Sequence, residues 1–253
     1  ISKLNVVESV AKTLQPEKAM YGFTLKAQSN DDLKGISFVV TKSDDSISDK
    51  YVLNVNEDQV DRDGNPTTKG LSEQYLFSAG IKKIDFYYEG ERNFEISYYD
   101  FESKDQGLDS IKKLTAISTD PNTVYKTRFF QQAGLNIITR ADMGLPADST
   151  FAPGWTPPYY PVNRIVIHHT ATGVDMINPV NTVKAIWRYH AIDNDWGDFG
   201  YNYLIDPYGN IYEGRAGING VRGNHAPPNE GSIGISILGN YTNQQPTQAS
   251  TNS

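Results

Sequence analysis

The sequence predicts two unlike structures in one chain: an antiparallel β-sandwich over residues 1–119 and an α/β domain over 137–253, joined by a connector at 120–136. Three observations carry this. The N-terminal part holds short β-branched and aromatic segments that partly alternate, separated by polar turn clusters. The C-terminal part places an amphipathic helical pattern between an apolar run and a hairpin. Residue usage divides at the same place, with 13 of the 15 lysines in residues 1–119 and all four histidines and all three tryptophans after residue 119.

In the N-terminal part, strands are expected at Ile36 to Val40, Tyr51 to Val55, Ile84 to Tyr88 and Phe94 to Tyr99. Tyr51, Leu53 and Val55 share one face, and Phe94, Ile96 and Tyr98 form a similar stripe, as half-buried strands require. Paired tyrosines such as Tyr98 and Tyr99 then place one ring inside and one on the surface. The segment Asp61-Arg62-Asp63-Gly64-Asn65 has the acidic spacing of a calcium loop, but Pro66 stands where that loop needs glycine and Ser72 where it needs glutamate. It reads as an acidic hairpin turn.

The stretch from Ala147 to Pro161 carries five residues, Pro153, Gly154, Pro157, Pro158 and Pro161, that oppose a regular ladder, so an extended surface arm is expected. Arg164 to Ile167 is a short apolar run with the character of a buried central strand, followed at once by His168 and His169. Adjacent residues on extended backbone point to opposite sides, so at most one of the two imidazoles faces a given site. Asn178 caps a helix that starts at Pro179 and runs to about Ala191, with Val183 and His190 on one face, where His190 reads as a structural histidine. Tyr201 to Ile205 and Ile211 to Glu213 flank the turn Asp206-Pro207-Tyr208-Gly209-Asn210 and make a hairpin. In Ser232 to Leu238 the isoleucines lie on one face and Ser232, Gly234 and Ser236 on the other, a face open to a close neighbour or a substrate.

Lys and Arg total 23 against 30 Asp and Glu, a net charge of −7, the wrong sign for a nucleic-acid binder. No run approaches the ~18 apolar residues of a membrane span. The chain has no cysteine, which removes thiolate nucleophiles and cysteine-ligated metal and leaves histidine to carry any soft-metal chemistry.

The segments ITRADMG, IVIHHTAT, WGDFGYNYLID, YGNIYEGR and GNHAPPNEGSIGISILGNY occur in this order between residues 138 and 241. Together they make the C-terminal part similar to the zinc-dependent N-acetylmuramoyl-L-alanine amidases, which share a fold with peptidoglycan recognition proteins. The resemblance implies an amidase-type α/β domain, a central mixed sheet with flanking helices. It implies that His168 ligates Zn2+, that Tyr201 is a catalytic group near the attacking water or the tetrahedral intermediate, and that His169, Asn224 and His225 contact substrate. Ser236 stands where some relatives carry a glutamate. The family's remaining zinc ligands fall beyond residue 253, so the resemblance also implies that the C-terminal portion of the domain is missing, with QQPTQASTNS as the cap and first turn of a helix. The implied substrate and partner is peptidoglycan or a muropeptide, cleaved between N-acetylmuramic acid and L-alanine, with a secreted or cell-wall location. A noncatalytic peptidoglycan-binding module and a surface adhesin stand as alternatives.

Overall fold

A computed structural model describes residues 10–18, 20–56, 59–99, 135–146, 157–174, 178–217 and 220–253. These cluster into two compact units. One holds the described residues up to 59 together with 68–99, and the other holds 60–67 together with the described residues from 135 onward. The expected connector at 120–136 and the boundary at 119 fall almost wholly outside the described residues.

The first unit consists of β1 (Lys12–Leu14), β2 (Met20–Ala27), β3 (Ser37–Lys42), β4 (Tyr51–Val52), β5 (Gly70–Leu71), β6 (Tyr75–Tyr87) and β7 (Phe94–Tyr99). Their pairings are antiparallel, in the order β4-β3-β6-β2-β5, with β1 also on β6 and β7 also on β2. The long β6 changes partners along its length, with β1 beside Ile84 to Phe86. Its first half pairs with β2 and its second half, Ile81 to Tyr87, with β3. Between them Gly80 takes φ +73°, where a Cβ would also meet Ser43 Oγ at 2.9 Å, so the bend needs glycine. Phe23 of β2 and Phe38 of β3 are not sheet neighbours, yet their rings meet edge to face at 5.1 Å. In the part expected to be an antiparallel β-sandwich, one connected sheet folds over a shared aromatic core of Phe23, Phe38, Tyr75, Phe77 and Phe86.

The strand expected at 51–55 shortens to two residues, although Leu53 still donates its N–H to Ile36 O at 2.9 Å and is buried. Phe94 and Ile96 pack on the core, whereas Tyr98 is 51% exposed and Tyr99 is buried, its hydroxyl 2.5 Å from Thr24 Oγ1. One ring inside and one outside is the arrangement expected of adjacent strand residues.

The second unit is built on a five-stranded mixed sheet in the order β8-β12-β11-β13-β9, with β8 Ile137–Ile138, β9 Arg164–His169, β11 Tyr203–Ile205, β12 Ile211–Glu213 and β13 Ser232–Ile237. A two-residue strand, β10, lies at Gly173–Val174. The β11–β12 pair is antiparallel and the others are parallel. The hairpin forms because Asp206 organises its turn: Oδ1 accepts from Tyr208 N (2.8 Å) and Asn210 N (2.9 Å), while Oδ2 accepts from Tyr212 Oη (2.7 Å). Helix α1 (Pro179–Arg188) begins at its Asn178 cap, whose side chain accepts from Val180 N at 3.0 Å, and lays Val180, Val183 and Ile186 on Ile138, Leu204 and Tyr212. The chain then continues as a π-helical turn, Tyr189–Asp193. The terminal segment makes one short helix, α2 (Gln248–Thr251), capped by Thr247.

Among the described residues, Arg164 to Ile167 does not form a central strand. β9 lies at the end of the sheet path, paired to β13, and Ile165 and Ile167 are 62% and 70% exposed. An apolar run specifies a strand but not its place in the order, which neighbouring strands decide. The arm expected over 147–161 is described only from residue 157. There Tyr159 bridges Val221, and Tyr160 N donates to Gly220 O at 2.8 Å, so the arm pairs locally while Tyr159 stays exposed.

Candidate functional site

The parallel register of β9 and β13 sets His168 beside Ser236, Val166 beside Gly234 and Arg164 beside Ser232. The small residues of β13 make room on this face, and the neighbour that occupies it is His225. A Cβ on Gly234 would lie 2.5 Å from the His225 ring, so the ring rests directly on the glycine. His225 Nδ1 is 3.0 Å from His168 Nε2, and His225 Nε2 is 3.2 Å from Ser232 Oγ.

Tyr201 closes the group. Its ring centroid is 5.7 Å from that of His168 and 5.2 Å from that of His190. Burial holds the Tyr201 phenol above its ordinary range, so it keeps its proton at neutral pH. Ser236 Oγ, fully buried, faces the phenol without closing a hydrogen bond of ordinary length. Burial also pulls both imidazoles of the pair below the usual histidine range, His225 to about 4 with His168 as a further cause, so both are uncharged at neutral pH.

His190 has the structural role read from its helical position. It is buried in the π-helical turn, its Nδ1 accepts from Gly200 N at 3.1 Å, and Trp196 packs on its ring at 4.7 Å. Burial, then the Arg215 charge, pull its pKa down to about 3. In the unfolded chain the same group titrates near 6.5. Below that pH the unfolded state binds the extra proton, so stability present above pH 6.5 is lost as pH falls toward 3. His190 alone sets a slope that approaches about 1.4 kcal/mol per pH unit in the middle of that window. Urea titrations of the wild type and His190→Gln between pH 5.5 and pH 4.5 will show the slope shrinking by roughly this amount in the variant, and equal slopes would refute the assignment.

His169 is not brought to this group. It lies on the other side of β9, in register with Ile237, where Nδ1 accepts from Tyr241 N at 2.8 Å and steadies the loop after β13. Asn224 is buried, with its amide donating to Asp61 O at 3.2 Å and its N–H to Gly200 O at 2.8 Å. Its side chain is thus engaged by protein in this conformation. The acidic turn at 61–65 is a closed hairpin turn: Asp61 Oδ1 accepts from the N–H groups of Asp63 and Asn65, both at 2.9 Å. Its backbone also receives Trp196 Nε1 at Val60 O (2.7 Å), and Arg62 pairs with Asp195 at 2.7 Å.

Sequence reasoning missed the ion pair that stiffens the Tyr201 loop. Asp198 Oδ1 accepts from Arg140 Nη1 and from Phe199 N, both at 2.8 Å, and Oδ2 from Ala216 N at 2.9 Å. Arg140 also donates to Gly214 O and Pro146 O. Both residues sit inside the quoted motifs, but nothing local says that they meet. Ser232 and Asn229, which support His225, were likewise silent as site residues.

Residues 158–253 match the sequence profile of the family Amidase_2, described as N-acetylmuramoyl-L-alanine amidase. This part of the chain is an Amidase_2 domain. Its curated relatives include peptidoglycan-recognition protein SC2 of Drosophila melanogaster, 47% identical over 90 residues, a match covering 33% of this chain and 46% of the relative. The human N-acetylmuramoyl-L-alanine amidase is 30% identical over 124 residues, 44% of this chain and 21% of the relative. The chain spans about half the length, or less, of these relatives. Among solved structures, Drosophila peptidoglycan recognition protein SD covers 46% of this chain and 68% of its own at 30% identity and a TM-score of 0.40. Peptidoglycan recognition protein LE in complex with tracheal cytotoxin gives 31% identity, 46% and 67% coverage, and a TM-score of 0.40.

A catalytic zinc takes about three protein ligands and an open position. Among the described residues of the Amidase_2 domain, no three His, Cys, Asp or Glu side chains are grouped to hold a metal, and the two imidazoles that meet are hydrogen-bonded to each other. The described residues do not fit a complete catalytic zinc site.

Proposed function

We propose that the Amidase_2 domain recognises peptidoglycan at the junction between N-acetylmuramic acid and the stem peptide. The observation that supports this most is the meeting of His168, His225 and Tyr201 on one face of the sheet, near the carboxyl end of β9. Ligands in open α/β sheets gather at strand carboxyl ends, where loops can aim side chains without disturbing the core. A neutral imidazole and a protonated phenol offer one acceptor and one donor, which complements an amide that presents an N–H and a carbonyl. The net charge of −7 leaves hydrogen bonding and shape, rather than attraction to anionic wall polymers, as the source of affinity.

Hydrolysis of the muramyl–L-alanine amide is the second reading, favoured by one specific observation: Tyr201 keeps its phenolic proton beside His168, where it could donate to a developing oxyanion. Calorimetric titration of the chain with a muramyl tripeptide, paired with mass spectrometry of the mixture with and without added zinc, separates the two. The expected result is saturable binding that weakens at least about tenfold, or about 1.4 kcal/mol, in His168→Ala. Free stem peptide in the mixture would establish the amidase reading. Failure of the wild type to bind would sink both.

A further inference from the structure

The hydrogen bonds around His225 fix where the protons lie. Ser232 Oγ is 2.7 Å from the carbonyl of Asn229, a contact that demands the serine proton, since two bare oxygens at that distance would repel. A hydroxyl has one proton, so towards His225 Nε2, 3.2 Å away, Ser232 Oγ can only accept. Nε2 of His225 therefore carries hydrogen. In a neutral imidazole that leaves Nδ1 bare, and Nδ1 is the atom 3.0 Å from His168 Nε2. The proton between the two rings must come from His168.

We infer that Asn229, Ser232 and His225 form a one-way hydrogen-bond relay that fixes His168 as its Nε2–H tautomer and presents its Nδ1 as a bare acceptor to ligand. Ser232 and His225 are positioning residues that act through His168. The relay is anchored at its Asn229 end by buried groups. Ser232 is on β13, and Asn229 is 1% exposed with its side-chain oxygen accepting from the N–H groups of His225 and Ala226, both at 2.9 Å. Gly234 leaves the space that the ring occupies. Among the described residues no hydrogen bond involves His168 Nδ1, so no described residue consumes the bare nitrogen. A tautomer set by a second ring is the device by which proteins decide which nitrogen of a histidine meets a partner. The direction of the relay stands on these hydrogen bonds between neutral imidazoles, while the ligand it serves, an amide N–H or sugar O–H of muropeptide, rests on the function proposed above.

The test is a long-range 1H–15N correlation spectrum of the imidazoles of the 15N-labelled full chain at pH 7.5, recorded without ligand. The expected pattern is Nε2–H and bare Nδ1 for both His168 and His225, with a bias of at least about fivefold over the other tautomer. An Nδ1–H form of His168, or an even mixture, would overturn the relay. His225→Asn keeps an acceptor where Nδ1 stood and should preserve the His168 pattern, whereas His225→Ala should mix it. A pure Nε2–H signal in His225→Ala would refute the positioning role. Adding muramyl tripeptide should then move the 15N shift of His168 Nδ1 more than that of Nε2, and binding that leaves Nδ1 unmoved would refute its role as acceptor. Absence of binding with the ligand-free pattern intact would count against the proposed function and leave the relay standing.

Discussion

Asp198→Asn will destabilise the Amidase_2 domain by about 3–5 kcal/mol, the cost of leaving a buried charge without its partner. Asp198 is fully buried, and the Arg140 side chain that it holds is 2% exposed, so water cannot replace the carboxylate. The asparagine would also turn an NH2 group towards one of three donors, Arg140 Nη1, Phe199 N or Ala216 N, that now share two carboxylate oxygens. Urea unfolding of wild type, Asp198→Asn, Arg140→Met and the double variant measures the coupling directly. We expect the double variant to lose less than the sum of the singles, because removing both charges removes the unpaired one. A loss under about 1 kcal/mol in Asp198→Asn would mean that the pair is solvent-compensated. Since Asp198 lies three residues from Tyr201, partial loss should also loosen the loop that carries the phenol.

Gly234→Ala will act on the site rather than on the core. The new methyl would sit 2.5 Å from Cγ and Cδ2 of His225, closer than van der Waals contact permits, and the ring must leave its seat. Moving it breaks the contacts to His168 and Ser232 together. We expect muramyl tripeptide affinity to fall at least about tenfold, with a stability loss of about 1–3 kcal/mol from overpacking. Titration calorimetry and thermal unfolding give the two numbers separately. Unchanged affinity in a folded Gly234→Ala protein would show that the seat of His225 does not govern ligand binding, and would remove the reason for a glycine on β13 at this position.

Local chemistry was legible in the residues themselves. Asn178 and Pro179 announce the start of α1, the apolar spacing through Ile186 announces its buried face, and the Asp206 turn announces the β11–β12 hairpin, because caps, periodicity and turn types involve residues a few positions apart. The split of His168 from His169 followed from strand geometry alone, and the small-residue face of β13 correctly signalled a close neighbour. The order of the motifs pointed to His168, Tyr201 and His225, which do converge.

What the residues could not disclose was who meets whom across the sheet. Nothing in Arg164 to Ile167 says that β9 ends the sheet with Ile165 and Ile167 exposed, since an apolar run looks the same with one covered face or two. Nothing in Ser232 or Asn229 marks them as supports of an imidazole that itself contacts a histidine 57 residues away in the chain. The grip of Arg140 on Asp198 spans 58 positions and is equally invisible. Sequence determined the pieces and the reactive groups because propensity and alternation are short-range; the tertiary structure alone decided their partners, because burial, register and the direction of a shared proton depend on atoms that only packing brings together.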